Sequence, residues 1–377
     1  MADQPASAGK QRQEPSALQA FLSGQVTAKN ASVKLNEMVI FTRQLATMIG
    51  AGIPLLECLE ILAEQMENPG FKAVLEEVVL EVRGGTDLST AMGRHPRVFE
   101  DIYVNMVRAG EVSGQIDEIL VRLAEYQEAS AKLRSQIVSA MTYPVISLVM
   151  IFGIVFFLLL VIVPKFKEIF DSMGVQLPLI TKLLLATSDF LLSNWFIWMP
   201  GAVGAAFAIK AWSKSSVGKR FFHWMFLFMP VFGPLFKKVA ISRFARTFST
   251  LISSGVPILG ALEIVAATSG NVHIEELVME ASESVRQGDT LASPLALKPK
   301  LFPPMVTRMI AIGEKSGALE ALLMKISEFY DQQVEAAVEQ LTSLIEPMMI
   351  GVMGFIVGGM VLAIFLPIFE LQKSLQQ

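Results

Sequence analysis

The residues best suited to chemistry in this chain are few, and their spacing works against them. Gly313-Glu314-Lys315-Ser316 ends like a phosphate-binding loop. Such a loop needs Gly-x-x-x-x-Gly-Lys-Ser/Thr so that successive backbone N–H groups wrap the phosphates, and here Glu314 separates Gly from Lys. The only cysteine is Cys58, and His95, His223 and His273 are scattered, so neither an internal disulfide nor a metal-ligand spacing can be built. Gly-x-Ser-x-Gly, His-Glu-x-x-His and Cys-x-x-Cys do not occur. These patterns predict no catalytic residue, no metal and no cofactor.

Two polar groups still stand out. Gly110-Glu111-Val112-Ser113-Gly114 returns as Gly313-Glu314-Lys315-Ser316-Gly317. The preferred reading is a helix end and restart, with Gly as terminator, Ser113 or Ser316 capping the next helix, and Glu111 or Glu314 paired with Arg43 or Arg246. The alternative is direct contact with a partner. Glu346, beside Pro347, lies at the mouth of an apolar run, where a carboxylate is either functional or close enough to the boundary to reach water or a lysine. Glu57, Glu60, Glu64, Glu67, Glu76, Glu77 and Glu81 make a solvated acidic face that would steer a basic partner.

The elements that carry these residues are apolar. Hydrophobic residues make up 53% of the 377 and charged ones only 18%, against about 25% in average soluble proteins. A net charge of −4 gives no excess for counterion release, so nucleic acid is not an expected partner. The uncharged run between Arg134 and Lys165 has an aliphatic and aromatic core, Val145 to Val163, that reaches about 28 Å as a helix and matches a bilayer. Phe190 to Ile209 and Pro347 to Phe369 are two further uncharged runs, predicting three spans. Phe221 to Phe236, broken by His223, Pro230, Gly233 and Pro234, reads as interfacial. Gly354 with Gly358, and Gly201 with Ala205, are small-residue pairs that allow close helix approach, for internal packing ahead of oligomerisation.

Sliding the chain over itself gives one register, Arg43 on Arg246, displaced by 203 positions. In it Gly52, Pro54, Arg83, Gly110, Gly114 and Pro144 return as Gly255, Pro257, Arg286, Gly313, Gly317 and Pro347. Roughly thirty identities fall in about 126 aligned residues, where composition gives under about ten. Leu45, Met48, Ile49, Leu55, Leu59 and Leu62 have helical spacing, and Pro54 suits a first turn. From Ile116 to Val163 only Pro144 and Gly153 interrupt, predicting one long helix kinked at Pro144.

The fold class expected is an all-α membrane protein with two tandem cytoplasmic helical bundles, an internal duplication, and three transmembrane helices. The boundaries are a disordered tail at 1–34 without a signal peptide, bundle 1 at 35–134, spans at 135–164, 190–209 and 338–369, a periplasmic loop at 165–189, a basic cytoplasmic connector at 210–242, bundle 2 at 243–337 and a periplasmic tail at 370–377. Orientation follows from charge: Lys210 to Leu262 holds eight Lys and Arg and no acid, so it faces the cytoplasm. Both bundles share that face when the connector crosses once, which puts the N-terminus inside and the C-terminus outside.

A tandem module with Arg…Gly-x-Pro-Leu, Arg-x-Gly and Gly-Glu-x-Ser-Gly before a span resembles the F protein family of type II secretion and its PilC-like type IV pilus counterpart. The likeness runs from Leu35 to Leu371. Gln136-Ile137-x-x-Ala140-Met141-x-Tyr143-Pro144, leading to Pro164, and Leu177-Pro178-x-x-Thr181 resemble the family's signatures. The resemblance implies a non-enzymatic inner-membrane platform and a homo-oligomer. Its implied partners are a hexameric secretion or pilus ATPase, pilin or pseudopilin subunits, other inner-membrane assembly proteins and the lipid bilayer. Residues 1 to 34 lack the Phe-x-Tyr…Gly segment with which many members begin. A secondary transporter with parallel repeats is the rival reading, though transporter repeats are usually membrane-embedded with charged or broken helices at mid-membrane. A membrane-bound enzyme is the third, and it lacks a catalytic constellation.

Overall fold

The computed structural model describes residues 28, 31–173, 177–230 and 232–375, and among them it contains helices and no strand. The expected tail at 1–34 lies almost wholly outside the described residues. The chain divides into two compact units, Met1–Gln127 and Glu128–Gln377.

In the first unit, α1 (Leu35–Gly50), α2 (Leu55–Gln65), α3 (Pro69–Arg83), α4 (Leu88–Gly93) and α5 (Asp101–Ser113) precede α6 (Ile116–Phe157), which continues into the second unit. Apolar residues at spacings of three and four bury Phe41 and Leu45 on α1, Leu59 and Leu62 on α2, and Phe71, Leu75 and Val78 on α3. The centre is aromatic. Phe41 meets Phe71 edge-on at 5.2 Å, and Phe99 meets Tyr103 at 5.2 Å.

In the second unit α6 passes through Pro144 without a break and changes register only at a π turn, Leu158–Ile162, before α7 (Val163–Met173). Then follow α8 (Leu179–Ser193), α9 (Trp195–Lys214), α10 (Ser216–Phe228), α11 (Gly233–Ser253), α12 (Ile258–Thr268), α13 (Val272–Arg286), α14 (Ala292–Ala296), α15 (Pro304–Ser316) and α16 (Leu319–Leu375). The repeat is visible helix by helix. Displacing α2, α3 and α5 by 203 positions lands on both ends of α12, α13 and α15, and the start of α6 lands on the start of α16. Phe244 against Phe302, edge-on at 5.0 Å, repeats the Phe41 and Phe99 pair of the first copy.

Ile116–Ile169 and Leu319–Phe369 are each long and apolar enough to cross a membrane alone. Two bent pairs, α8 with α9 and α10 with α11, raise the number to four if each makes one span, so the expected three lies inside that range without being fixed by it. The apolar run Phe190 to Ile209 is not one straight helix, because the chain bends by 79° at Asn194, where α8 ends and α9 begins. Helices α7 and α8 occupy most of the stretch read as a loop, and α16 continues through residues read as a tail. Gly354 and Gly358 are exposed, and a Cβ on either would meet nothing within 4 Å. The internal packing expected of them is absent because α16 buries Met349, Met360 and Ala363 instead.

Candidate functional site

The duplicated residues mostly build the turns between helices. Gly52 N–H donates to the Ile49 carbonyl at 2.9 Å and Ile53 N–H to Met48 at 3.1 Å, closing α1 against α2, whose N-cap is Pro54. Gly255, Val256 and Pro257 do the same between α11 and α12, at 2.9 and 3.0 Å. Arg83 bridges Glu60 at 2.6 Å and Arg286 bridges Glu263 at 3.3 Å, both at the surface, where such pairs contribute up to about 1 kcal/mol.

Glu111 departs from expectation. Its two carboxylate oxygens accept from Leu88 N–H at 2.5 Å and Ser89 N–H at 3.2 Å, so it caps the start of α4 from a distance of 23 positions in sequence. Glu314 accepts from Leu291 N–H at 2.7 Å beside α14. The expected pairing with arginine is replaced: Arg246 bridges Asp331 on α16, which also accepts from the Ser242 hydroxyl at 2.5 Å. Ser113 and Ser316 cap nothing ahead of them, because each ends its helix and donates back to Ala109 or Ile312 at 2.8 Å. The reason is local. Gly114 and Gly317 adopt φ near 70°, a left-handed C-cap that ends α5 and α15 one residue after the serine.

Gly110 and Gly313 are required for a different reason. A Cβ on Gly313 would lie 2.9 Å from Leu319 Cα, and one on Gly110 would lie 3.1 Å from Ile116 Cα. The long helices α6 and α16 thus rest directly on the backbone of the preceding helix. Sequence reasoning missed a polar trio in the first copy, in which the buried Thr42 hydroxyl lies 3.0 Å from Oε1 of the half-buried Gln127 and 3.3 Å from the buried Tyr103 hydroxyl. Burial pushes the Tyr103 phenol well above its usual range. The residues at a displacement of 203 from Thr42, Gln127 and Tyr103 are Ala245, Tyr330 and Val306, so the second copy does not carry the trio.

The bases of the two stems pack side by side within the second unit. Leu133, Ile137 and Ala140 of α6 lie against a buried cluster of Leu235, Val334, Ala337, Val338 and Leu341, and Gln136 donates to Glu335 at 3.1 Å. The signature residues Gln136, Ile137 and Ala140 therefore have a packing role. Tyr143 and Glu346, which hold matching positions in the two copies, are both exposed, beside Pro144 and Pro347 inside their helices.

Higher up, α8 joins the two apolar helices by hydroxyl groups. In the π turn Val163 N–H bonds to the Leu158 carbonyl, so the position facing the Leu159 carbonyl is the nitrogen of Pro164, which carries no hydrogen. Ser188 donates to that carbonyl at 2.6 Å. Pro367 likewise leaves the carbonyl four residues earlier, Ala363, without an amide partner, and Thr181 donates to it at 2.5 Å. Thr181 and Ser188, seven residues apart, share one face of α8. Each proline of the duplicated pair therefore releases a carbonyl that the intervening helix satisfies.

The family model for the type II secretion system (T2SS) protein F matches twice, at residues 41–164 and 244–367, the same displacement that superposes the turns and caps. The chain belongs to this family. Among its relatives, the type IV pilus assembly protein PilC of Thermus thermophilus is 46% identical over 341 residues, covering 90% of this chain and 84% of that one. PilC of Myxococcus xanthus is 42% identical over 358 residues, covering 94% and 85%. The type II secretion system protein F of Vibrio cholerae is 37% identical over 343 residues, covering 90% and 84%. All the residues singled out by internal repetition, from Arg43 to Pro144 and from Arg246 to Pro347, fall inside the two matched segments.

Proposed function

We propose that this family member is the inner-membrane platform of a type IV pilus or type II secretion machine. In this reading it couples a cytoplasmic hexameric ATPase to the insertion or removal of pilin or pseudopilin subunits. One observation carries the reading: each helical unit continues without a loop into an apolar stem, Ile116–Ile169 in one copy and Leu319–Phe369 in the other. A displacement of the helices seated on Gly110 or Gly313 has a continuous helical path into the bilayer. The contacts between α10 and α13, in which Val272 N–H donates to His223 Nδ1 at 3.0 Å and Arg220 bridges Glu276 at 2.7 Å, support a three-span topology. In this reading they keep α10 beside the second bundle, which leaves the run Phe190 to Ile209 as the single return crossing and both bundles on the cytoplasmic side with the basic stretch. The exposed Glu57, Glu64, Glu67, Glu76 and Glu77 give the first unit a surface suited to a basic face of the ATPase.

The experiment is removal of residues 35–127 from the chain in cells that assemble fibres. The remainder should insert into the membrane while fibre assembly stops. Normal assembly by the truncated chain defeats the coupling idea. Reporter fusions that placed Gln127 and Phe329 in different compartments would defeat the topology.

A further inference from the structure

We propose that α10 is a surface-lying helix that recruits anionic phospholipid, clamping the second bundle to the leaflet independently of any ATPase or pilin contact. Its inward side is accounted for: Gly218 and Leu227 are buried, and His223 and Arg220 are held by the start of α13. Its outward side is an apolar stripe. Val217, Phe221, Trp224 and Phe228, at intervals of four, three and four residues, are 69%, 47%, 52% and 39% exposed and run about 16 Å along the helix.

Cations stand at both ends of the stripe. Lys214 is exposed where α9 meets α10, and Lys237 Nζ sits 4.5 Å over the Phe228 ring. No acidic residue lies between Lys210 and Leu262, and the Glu276 carboxylate that α13 brings to this helix is taken up by Arg220 on the docked side. With α9 as the crossing helix, the three-span reading on which this proposal rests, α10 starts one residue, Ser215, after it and so at the membrane surface. An apolar stripe with basic ends at that depth sinks its aromatic rings to the acyl boundary and its lysines among phosphates. Protein partners fit less well, since the stripe begins at the membrane surface itself.

The test uses the full chain in nanodiscs carrying a trace of photoactivatable phosphatidylglycerol or, separately, phosphatidylcholine, with crosslinked peptides mapped by mass spectrometry. Phosphatidylglycerol should label α10 in excess over phosphatidylcholine. Lys214→Gln and Lys237→Gln should each lower that ratio about fivefold, and the double variant should bring it close to one. Unchanged amide exchange at Val272 establishes that α10 is still docked in the variants. Equal labelling of α10 by both lipids in the parent, a ratio indifferent to the two lysines, or labelling of α9 without α10 each overturns the proposal. The last outcome would assign the stripe to a protein.

Discussion

The hydroxyl contacts of α8 make a claim that a thermodynamic cycle can break. If Thr181 supplies the bond that Pro367 denies to Ala363, then Thr181→Val, nearly isosteric, leaves a carbonyl unpaired among apolar side chains. Thr181 is 1% exposed and the bond is 2.5 Å long, so solvent does not replace it. Hydrogen bonds between membrane helices average about 0.6 kcal/mol and reach about 1.7, which places the expected loss near 1 kcal/mol. Pro367→Ala restores an N–H four residues beyond Ala363, making the threonine redundant. Thr181→Val should therefore cost about 1 kcal/mol in the parent and close to nothing in the Pro367→Ala background. The same argument applies to Ser188→Ala with Pro164→Ala. The assay is reversible unfolding of the purified chain in mixed micelles by added SDS. Additivity of the two substitutions within about 0.3 kcal/mol would falsify the account of α8 as the donor to proline-released carbonyls.

Gly313→Ala forces a Cβ to 2.9 Å from backbone and should destabilise the second bundle by about 1–3 kcal/mol, read as a lower melting midpoint in detergent. Glu111→Ala removes the acceptor for two amides and should cost about 1 kcal/mol, with amide exchange accelerated at Leu88 and Ser89 ahead of the rest of the unit. Exchange at those amides equal to the parent's would contradict the capping role. His223 must be neutral to accept from Val272 N–H, and burial, with Lys219 and His273 nearby, holds its pKa below the ordinary histidine value against the opposing pull of Glu275. A depressed folded pKa means that the contribution of this contact is whole above about pH 6.5 and is lost as the pH falls through the lowered value. The protection of the Val272 amide, taken relative to its intrinsic exchange rate at each pH, should thus fall as the pH is lowered below about 6.5, and His223→Gln should remove that dependence.

Much of the architecture was readable because it is written twice. The ends of α2, α3 and α5 recur at a fixed displacement, and Gly, Pro and apolar spacing mark them by local chemistry alone. Glu111 was misassigned because charge complementarity suggests an arginine, whereas the fold brings to it the buried first-turn amides of a six-residue helix, which have no partner within that helix. The constant interval of 23 positions from Leu88 to Glu111 and from Leu291 to Glu314 was the available signal, and it is silent until one copy is seen folded. Asp331 sits 85 positions from Arg246, beyond any local rule. The glycines of α16 illustrate the opposite failure: Gly354 and Gly358 satisfy a packing motif, yet which face of a uniformly apolar helix is covered depends on tertiary contacts that periodicity does not encode.

The proline carbonyls carry a mechanical consequence. A kink stabilised from within its own helix bends alone, but here the stabilising protons belong to a third segment that grips Leu159 and Ala363 at once. Flexing either stem near its proline therefore loads the other through a shared splint, so the two apolar segments bend together or not at all.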